Sequence, residues 1–550
     1  MTDPGLPASA RPGDAPPSDA PGAARVPTAD ELARVADLLE QVAADRGLLA
    51  TMPDDQRQRL LRYASQVALP DRGSRRRLRK AFQKKSQAEL DQLRADDEAV
   101  LAQTGIRRQY SVRQLKKPQP VAPIEPDTAA APLPSPEARP PQGEAPRLKL
   151  ERCCYTCKAK YERVHHFYDA LCPACAELNW SKRNQACDLT GRYALVTGGR
   201  VKIGYQAALK LLRAGAHVVV TTRFPRDGAG RFLEEADSAD WLDRLTLQGL
   251  DLRHTPSVEA LADHLVATLP RLDFVLNNAC QTVRRPPGFY AHLMEGERRL
   301  AESLPADARP LLASYEQLRG HTQPDAEALV TTSVDKLTAA SIAGVTRAAE
   351  LSQLELVEGD AESLSPGQGG SLFPAGRYDQ DQQQVDLRGV NSWRLRLADV
   401  PTTELLEVQL VNAVAPFVLN ARLKPLMVRV PTRDKHIVNV SAMEGVFYRA
   451  CKTDKHPHTN MAKAALNMMT RTSAQDYAAD GIHMNSVDTG WITDEDPAEI
   501  AKRKKDELGF SPPLDTVDAA ARICDPIFTG LLTGEHAWGK FFKDYQVANW

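Results

Sequence analysis

Four of the nine cysteines have the spacing of metal ligands. Cys154 and Cys157 form one Cys-x2-Cys pair, and Cys172 and Cys175 form a second pair after 14 intervening residues. Each pair can wrap a turn so that both thiolates face one ion, and four thiolates suit tetrahedral zinc. A closed shell of four thiolates leaves no position for a substrate water, so we expect a structural or docking role. Three neighbours are alternative ligands, namely Cys153, His165 and His166. The other interpretation is a cluster of reduced thiols.

A glycine-rich turn between an apolar run and a helical stretch is the second candidate site. The run 193–197 leads through Gly198-Gly199-Arg200-Val201-Lys202-Ile203-Gly204 into residues 205–213. Glycine lets the backbone approach a pyrophosphate, and a helix N-terminus offers free N–H groups and a positive dipole end. We therefore expect a dinucleotide to bind here. The expected contacts in this turn are Gly198, Arg200, Lys202, Ile203 and Gly204.

The end of the next apolar run indicates which dinucleotide binds. Proteins that bind NAD place an acid at the end of the second strand, where it holds the ribose hydroxyls. Here the run ends Val220-Thr221-Thr222-Arg223, without a carboxylate. Arg223 is placed to bind a 2′-phosphate, and Arg200 is a candidate to assist it. The sequence therefore favours NADP over NAD, and the alternative is that Arg223 is a surface cation.

Strands alternating with helices surround this turn from about residue 188 onward. The apolar runs lie at 193–197, 217–221, 245–250, 272–276, 436–440 and 484–487. Their alternation with helical stretches predicts an α/β fold, a doubly wound parallel sheet of the Rossmann type. Residues 284–400 interrupt the pattern with a helical stretch at 326–354 and a Gly/Ser/Pro loop at 363–376. This insertion is either a lid that shapes the substrate pocket or an appendage that packs in an oligomer.

The first 150 residues differ in composition, since they hold nineteen of the 39 prolines. The predicted organisation is a disordered tail (1–27), a helical region (28–112), a Pro-rich linker (113–150), a four-cysteine zinc module (151–187) and the Rossmann domain (188–550). Thr28 to Glu31 has the pattern of a capping box at the start of the helical region. The basic stretch 72–85 is interpreted as a solvated helix face, because acidic residues follow it. A nucleic-acid contact is the less favoured alternative.

Composition excludes several classes of protein. The chain has 70 basic and 71 acidic residues, so it is no general polyanion binder and we expect no nucleic-acid partner. Its 42% hydrophobic and 26% charged residues are typical of a globular protein and exclude wholesale disorder. We find neither an apolar run of about 18 residues nor a signal-peptide pattern. We therefore expect a cytoplasmic protein that does not enter a membrane.

Beyond these features, several motifs resemble those of the short-chain dehydrogenase/reductase family. The turn from Thr197 to Gly204 is similar to the family's TGxxxGxG, with Lys202 at the middle glycine. Asp251 matches the family's adenine-contacting acid, and Asn278 lies in a match to its NNAG motif. The resemblance covers about 188–283 and 401–550. It implies hydride transfer between NADP and a small carbonyl or alcohol substrate, and a homo-oligomeric assembly.

The resemblance also implies a catalytic set, of which this sequence keeps only part. Asn412 matches the catalytic asparagine, and Lys463 matches the lysine that serves both catalysis and cofactor binding. The tyrosine expected four residues before the lysine is Thr459, whose hydroxyl is too weak an acid to replace a phenol. The serine position is occupied by Ala442, with Ser441 one position early.

A substitute proton donor is therefore needed. The candidates are His456, His458, Tyr448, Ser441 and a group from the insertion, since imidazole titrates in the useful range. We take Lys463, Asn412, Ser441 and His458 as the expected catalytic residues.

Three functional interpretations remain. The first is an NADP-dependent oxidoreductase with a non-standard acid. The second is a catalytically inactive NADP-binding protein, whose zinc module or N-terminal helices recruit a protein partner. The third, a scaffold with a vestigial site, is disfavoured because the cofactor residues are mutually consistent.

Overall fold

The computed structural model describes residues 27–109, 145–299, 303–320, 342–364, 372–379, 382–449, 452–493, 495–508 and 511–550. Most of the predicted tail and linker, the first part of the 326–354 stretch and Cys451 lie outside these residues. The chain divides into two compact units, residues 1–92 and 93–550. In the described part of the chain, no helix is both long and apolar enough to cross a membrane.

The first unit is helical. Its elements are α1 (Ala29–Ala44), a 3-10 turn (Arg46–Thr51), α2 (Asp54–Ala68) and the start of α3 (Arg72–Leu101). The Thr28 hydroxyl accepts a hydrogen bond from the Glu31 N–H, while the Glu31 carboxylate accepts one from the Thr28 N–H. This is the capping box that the sequence predicts. α1 and α2 contain no buried residue.

The second unit begins with the cysteine-rich module. β1 (Arg147–Cys153) pairs antiparallel with β2 (Lys160–Arg163), and α4 (Pro173–Asn184) follows. The predicted linker was therefore drawn four residues too long, because the alternating sequence Arg147-Leu148-Lys149-Leu150 already belongs to β1. The end of α3 also belongs here, since the carboxylate of Asp97 accepts hydrogen bonds from the N–H groups of Lys149 and Leu150.

The cysteine-rich module packs against the Rossmann domain. Its core is continuous with that of the Rossmann domain and includes Tyr168, Leu171, Ile492 and Leu514. Arg183 of α4 also forms ion pairs with Asp515 and Asp518 of the Rossmann domain, and no periodicity in the sequence predicts these contacts.

An eight-stranded sheet forms the rest of the second unit, in the order β10-β9-β8-β7-β6-β3-β4-β5. The strands are β3 (Tyr193–Thr197), β4 (His217–Thr222), β5 (Leu245–Gly249), β6 (Phe274–Asn277), β7 (Lys435–Ser441), β8 (Ile482–Asp488), β9 (Phe541–Lys543) and β10 (Gln546–Ala548). All neighbouring pairs are parallel except β9 with β10. The predicted fold class is confirmed. The sequence analysis missed β9 and β10, which are too short to show a periodicity.

Helices cover both faces of this sheet. The longer helices in this part of the chain are α5 (Lys202–Arg213), α6 (Pro225–Leu233), α7 (Thr255–Thr268), α8 (Ala308–Gly320), α9 (Thr402–Gln409), α10 (Ala415–Val428), α11 (Pro457–Ala479), α12 (Ala498–Leu508) and α13 (Thr516–Thr533). Ala194 and Val196 of β3 pack in one core with α5 and α13, whereas Leu195 packs in the other with α7, α10 and α11. The strands are buried on both faces, as a parallel sheet requires.

The insertion consists mostly of short turns. Besides α8, its helical turns are Pro287–Tyr290, Ala291–Leu293, Met294–Arg298, Ala343–Thr346, Ala348–Leu351, Asp360–Leu364, Ser392–Arg394 and Leu397–Asp399. The single helical stretch predicted across 326–354 was wrong in its described part. The helix breaks at Arg347, whose φ of −128° is not helical. Gly344 packs closely against α7, since a Cβ atom built on it would lie 2.9 Å from the Ser257 side chain.

Candidate dinucleotide and active site

The glycine-rich turn after β3 borders a cavity of about 620 Å³. Gly198 has a φ of +67°. A Cβ on Gly204 would lie 2.3 Å from the Asn278 amide nitrogen and 2.4 Å from the Gly198 carbonyl oxygen. Only glycine permits this approach of α5 to the turn. The first turn of α5 lines the cavity, and the first N–H groups of a helix have no partner within it, so the turn can receive an anion.

The loop after β6 holds this turn in place. The Thr197 hydroxyl accepts hydrogen bonds from the N–H groups of Asn278 and Ala279, both at 3.0 Å. The Asn278 side chain donates to the Thr197 carbonyl at 3.0 Å. Eight of the nine predicted cofactor residues line the one cavity: Gly198, Arg200, Lys202, Ile203, Gly204, Arg223, Asp251 and Asn278.

Arg223 lies at the end of β4 against an aromatic pair. Its guanidinium donates to the Tyr290 hydroxyl at 2.6 Å and lies 4.5 Å from the centroid of that ring. Phe224 lies below the same guanidinium, at 5.6 Å. Burial alone would raise the pKa of Tyr290, but the Arg223 and Arg285 cations outweigh burial and lower it. This end of the cavity is therefore electropositive.

Arg200 differs from Arg223 because a carboxylate neutralises it. Its guanidinium pairs with Asp227 at 2.5 Å and donates to the Gln383 side chain at 3.3 Å. Burial lowers the pKa of Arg200. Among the described residues we find no carboxylate paired with Arg223, so Arg223 has the greater capacity to bind a phosphate.

Asp251 begins a chain of buried ion pairs. The Asp251 carboxylate pairs with Arg253 at 2.6 Å, and Arg253 also pairs with Glu407 at 2.7 Å. Glu407 pairs in turn with Arg284 at 2.8 Å, and Arg284 holds Asp360 through two bonds of 2.7 Å. Burial alone would raise the pKa of Asp251, but Arg253 lowers it. The chain links the end of β5 to the insertion.

The insertion also forms one wall of the cavity. Phe289, Tyr290, Gln383, Asp386 and Arg388 all line it. Arg388 pairs with Asp386 at 2.7 Å, and Arg285 approaches the same carboxylate. The cavity is therefore bounded by the insertion as well as by the Rossmann domain.

The four predicted catalytic residues do not line this cavity. Lys463 is buried in α11, and its ammonium donates to the Val440 carbonyl at 2.7 Å. Asn412 lies in a π-helical segment, Leu410–Val414, which joins α9 to α10. Its side-chain amide accepts a hydrogen bond from the Gln281 backbone N–H at 2.7 Å and donates one to the Gln281 carbonyl at 3.1 Å. Because Gln281 lines the cavity, Asn412 contacts its wall indirectly.

Two further candidate groups lie near the amino end of α11 and the end of β7. His458 is buried, with its Nε2 atom 3.3 Å from a Glu404 carboxylate oxygen. Burial alone would raise the pKa of Glu404, but the neighbouring His458 and Ser392 side chains lower it. Ser441 ends β7, and within the described chain its buried hydroxyl has no hydrogen-bond partner.

The remaining donor candidates are less well placed. His456 stacks on Trp393 with ring centroids 3.8 Å apart, and burial lowers its pKa to about 4. Thr459 uses its hydroxyl to donate to the His456 carbonyl at 2.8 Å. Tyr448 is exposed.

The four paired cysteines come together as the spacing predicts. The Sγ atoms of Cys154, Cys157, Cys172 and Cys175 all lie within 4.8 Å of one another. Zn–S bonds of about 2.3 Å place tetrahedral thiolates about 3.8 Å apart, so the donor set and its size fit zinc. The alternative ligands Cys153, His165 and His166 are not members of this group.

Several cavity residues escaped the sequence analysis. Tyr290 belongs to the insertion, which carries no periodic pattern, and Glu407 lies in α9, to which the sequence analysis gave no site residue. The only signal for Arg253 was its place two residues after Asp251.

Comparisons with known proteins match the chain in two blocks. The family model described as short chain dehydrogenase matches residues 192–292, and the model described as Enoyl-(Acyl carrier protein) reductase matches residues 388–514. The two matches leave out most of the insertion.

Individual relatives match to different extents. The uncharacterized protein R665 of Acanthamoeba polyphaga mimivirus is 29% identical over 388 residues, covering 68% of this chain and 71% of that protein. Dehydrogenase/reductase SDR family member 13 of Bos taurus is 37% identical over 103 residues, which are 18% of this chain and 27% of that relative. The solved Pseudomonas aeruginosa RhlG/NADP active-site complex is 17% identical with a TM-score of 0.38, covering 64% of this chain and 95% of that one.

The sheet order and the glycine-rich turn agree with the two family matches. Over residues 192–292 and 388–514 the chain is that of a short-chain dehydrogenase/reductase.

Proposed function

We propose that this chain is an NADP-dependent oxidoreductase that acts on a carbonyl/alcohol pair. The observation that carries the proposal is the position of Arg223 in the lining of a cavity of about 620 Å³, with no acid at the end of β4. A guanidinium there can hold a 2′-phosphate through two parallel hydrogen bonds. NADP would supply or accept the hydride when bound.

Each group of cavity residues has a proposed role in holding the cofactor. The turn Gly198–Gly204 and the amino end of α5 would hold the pyrophosphate, with Lys202 adding a positive charge. Asp251 would contact the adenine, and its bond to Arg253 fixes its direction. Asn278 keeps the turn in its binding conformation.

For the proton we propose His458, with Glu404 as its partner carboxylate. The Nε2 atom of His458 lies 3.3 Å from the buried Glu404 carboxylate, which can orient the ring. Lys463 and Asn412 would organise the surrounding backbone, as their bonds to Val440 and Gln281 indicate. Ser441 would orient the substrate oxygen with its buried hydroxyl.

Calorimetric titration of the full chain with NADPH and NADH tests the cofactor proposal. We expect NADPH to bind at least tenfold more tightly, because only its 2′-phosphate engages Arg223. Arg223→Ala should abolish that preference while leaving NADH binding unchanged. Arg309→Ala, an exposed cation on α8, is the matched control. Equal binding of both dinucleotides, or of neither, would contradict the proposal.

One observation favours a second candidate, a protein that binds NADP without turnover. The four predicted catalytic residues do not line the cavity, and Thr459 and Ala442 replace two hydroxyl groups of the family's site. Single-turnover oxidation of bound NADPH, monitored against a panel of aldehydes and ketones, separates the two functions. Under the first function Lys463→Ala should abolish turnover, whereas under the second it should alter nucleotide binding alone.

We further propose that the four cysteines bind one structural zinc ion. Four cysteine sulfurs within 4.8 Å of one another support this assignment, and a shell of four thiolates leaves no ligand position for catalysis. Elemental analysis should find one zinc per chain, and Cys157→Ser should lose it. Cys153→Ser, which changes an exposed neighbour outside the cluster, should keep the metal.

Assembly into a homo-oligomer stays a prediction. Phe417 of α10 and both Met461 and Met468 of α11 are exposed apolar side chains, which support an interface on these helices. Light scattering of the purified chain gives the oligomeric state.

A further inference from the structure

Tyr155 connects the cysteine cluster to the wall of the cavity. It lies between Cys154 and Cys157, inside the first Cys-x2-Cys pair. Its hydroxyl accepts a hydrogen bond from the backbone N–H of Trp491 at 2.9 Å. Trp491 belongs to residues 489–493, which follow β8 and are called the β8 loop below. A side chain from the metal cluster thus holds the main chain of this loop.

The β8 loop in turn borders the dinucleotide cavity. Ile492 and Thr493 line it. From the strand side, the carboxylate of Asp488 fixes the beginning of the loop by accepting from the Gly490 N–H at 2.9 Å. Tyr155 fixes the loop from the opposite element. A shift of either anchor would move the residues that face the cavity.

The position of Tyr155 depends on the cysteine cluster. Its backbone N–H donates to the Ala170 carbonyl at 2.8 Å, and the N–H of Cys154 donates to the Ala159 carbonyl at 2.9 Å. Lys158 closes the turn with a left-handed φ of +63°. Ile492 also packs in the same core as Cys154 and Cys172. Metal ligation would hold this turn in one conformation and keep Tyr155 in place.

We propose that metal binding at the cysteine cluster and dinucleotide binding in the cavity are coupled, with Tyr155 as the positioning residue between them. The inference rests on the proposed zinc site and the proposed NADP site. Each ligand favours the same ordered conformation of the β8 loop, so each should raise the affinity for the other by the same factor.

Tyr155→Phe is the most direct variant, because it keeps the ring and removes only the hydroxyl. We expect it to retain zinc and its melting temperature while the Kd for NADPH rises about fivefold, the loss of one hydrogen bond. Hydrogen exchange of the 489–493 peptide should become faster. Tyr161→Phe is the control in the same module. The Tyr161 hydroxyl donates to the Asp169 carbonyl, so its removal should change neither the Kd for NADPH nor the hydrogen exchange of the 489–493 peptide.

Removal of the metal gives the second arm of the test. Chelation of zinc from the folded wild-type chain should raise the Kd for NADPH at least as much as Tyr155→Phe does. Chelation of zinc from Tyr155→Phe should raise the Kd for NADPH by a smaller factor than chelation of the wild type does, because the hydrogen bond from Trp491 to Tyr155 is already lost. The fold of each sample is checked by circular dichroism.

The outcomes separate this inference from the proposed function. If the zinc-loaded wild type binds NADPH and neither Tyr155→Phe nor chelation changes its Kd, the coupling is wrong and the cofactor proposal stands. If the zinc-loaded wild type binds no NADPH, both are overturned. If the purified chain holds no metal and binds none on titration with Zn²⁺, the inference fails while the cofactor proposal is unaffected.

Discussion

Arg223 of β4 donates a hydrogen bond of 2.6 Å to the hydroxyl of Tyr290, a residue of the insertion. The cation proposed to recognise the 2′-phosphate is therefore oriented by a segment outside the Rossmann core. Tyr290 itself packs with Phe224, Phe289 and Phe373, so its ring has little freedom to move. Cofactor preference and the presence of the insertion are linked through this pair.

Removal of the Tyr290 hydroxyl should weaken NADPH binding without affecting NADH. Tyr290→Phe keeps the aromatic ring but removes the hydroxyl that orients the Arg223 guanidinium. We therefore expect about a fivefold higher Kd for NADPH. Titration calorimetry with both dinucleotides measures the effect. Tyr315→Phe, a buried tyrosine of α8, is the control and should leave both affinities unchanged. An equal loss for NADH would show that Tyr290 supports the cavity in general.

Glu407 should contribute more to stability than an exposed acid does. It is shared by Arg253 and Arg284 and is 4% exposed, so Glu407→Gln leaves two buried guanidinium groups short of a carboxylate. We expect the free energy of unfolding to fall by about 1–3 kcal/mol, as measured by urea denaturation. Glu259→Gln breaks an exposed pair with Arg422 and should cost less than about 1 kcal/mol. Equal losses would mean that the buried chain of ion pairs adds nothing.

Three histidines at the opposite end of the sheet should make stability depend on pH. His436 is fully buried, its Nε2 atom lies 3.0 Å from the Nδ1 atom of His536, and His483 stacks on His536. Burial lowers the pKa of all three, an effect that nearby Asp434 only partly opposes.

Because the folded state disfavours the charged imidazoles, the unfolded state binds more protons below their ordinary pKa of about 6.5. The stability is fully present above that pH and should fall between about pH 6.5 and 5. Urea denaturation across this range measures the slope. His536→Gln should flatten it, whereas His217→Gln, which changes a half-buried histidine at the start of β4, should not. A wild-type stability that is constant from pH 7 to 5 would contradict this account.

Strands with a simple hydrophobic pattern could be located from the sequence. Residues whose positions depend on tertiary contacts could not. Leu195 and Val219 belong to apolar runs that bury both faces, so their strands could be located within two residues. The glycine turn and the cysteine pairs were found because their chemistry fixes their spacing.

Tyr290 and Asp360 could not be found in the same way. Their partners lie 67 and 76 residues away in the chain, and only folding brings them together. The packing of the cysteine-rich module against the Rossmann domain could not be predicted for the same reason, because Tyr168 donates a hydrogen bond to Asp518 across 350 residues of sequence. Long-range polar contacts leave no local pattern in a sequence.

His458 provides the sharpest test of catalysis. If it supplies the proton, His458→Gln should slow single-turnover oxidation of NADPH by a substrate ketone or aldehyde about 10²- to 10⁴-fold, with an unchanged Kd for NADPH. Glu404→Gln removes the carboxylate that lies 3.3 Å from the His458 ring and should cause a smaller loss, because the ring is then less well oriented.

His456→Gln is the matched control, since burial lowers the pKa of His456 to about 4 and it is stacked on Trp393. Undiminished turnover in His458→Gln would assign the proton to another group. Ser441→Ala would then be the next variant, because Ser441 ends β7 and its buried hydroxyl has no hydrogen-bond partner among the described residues.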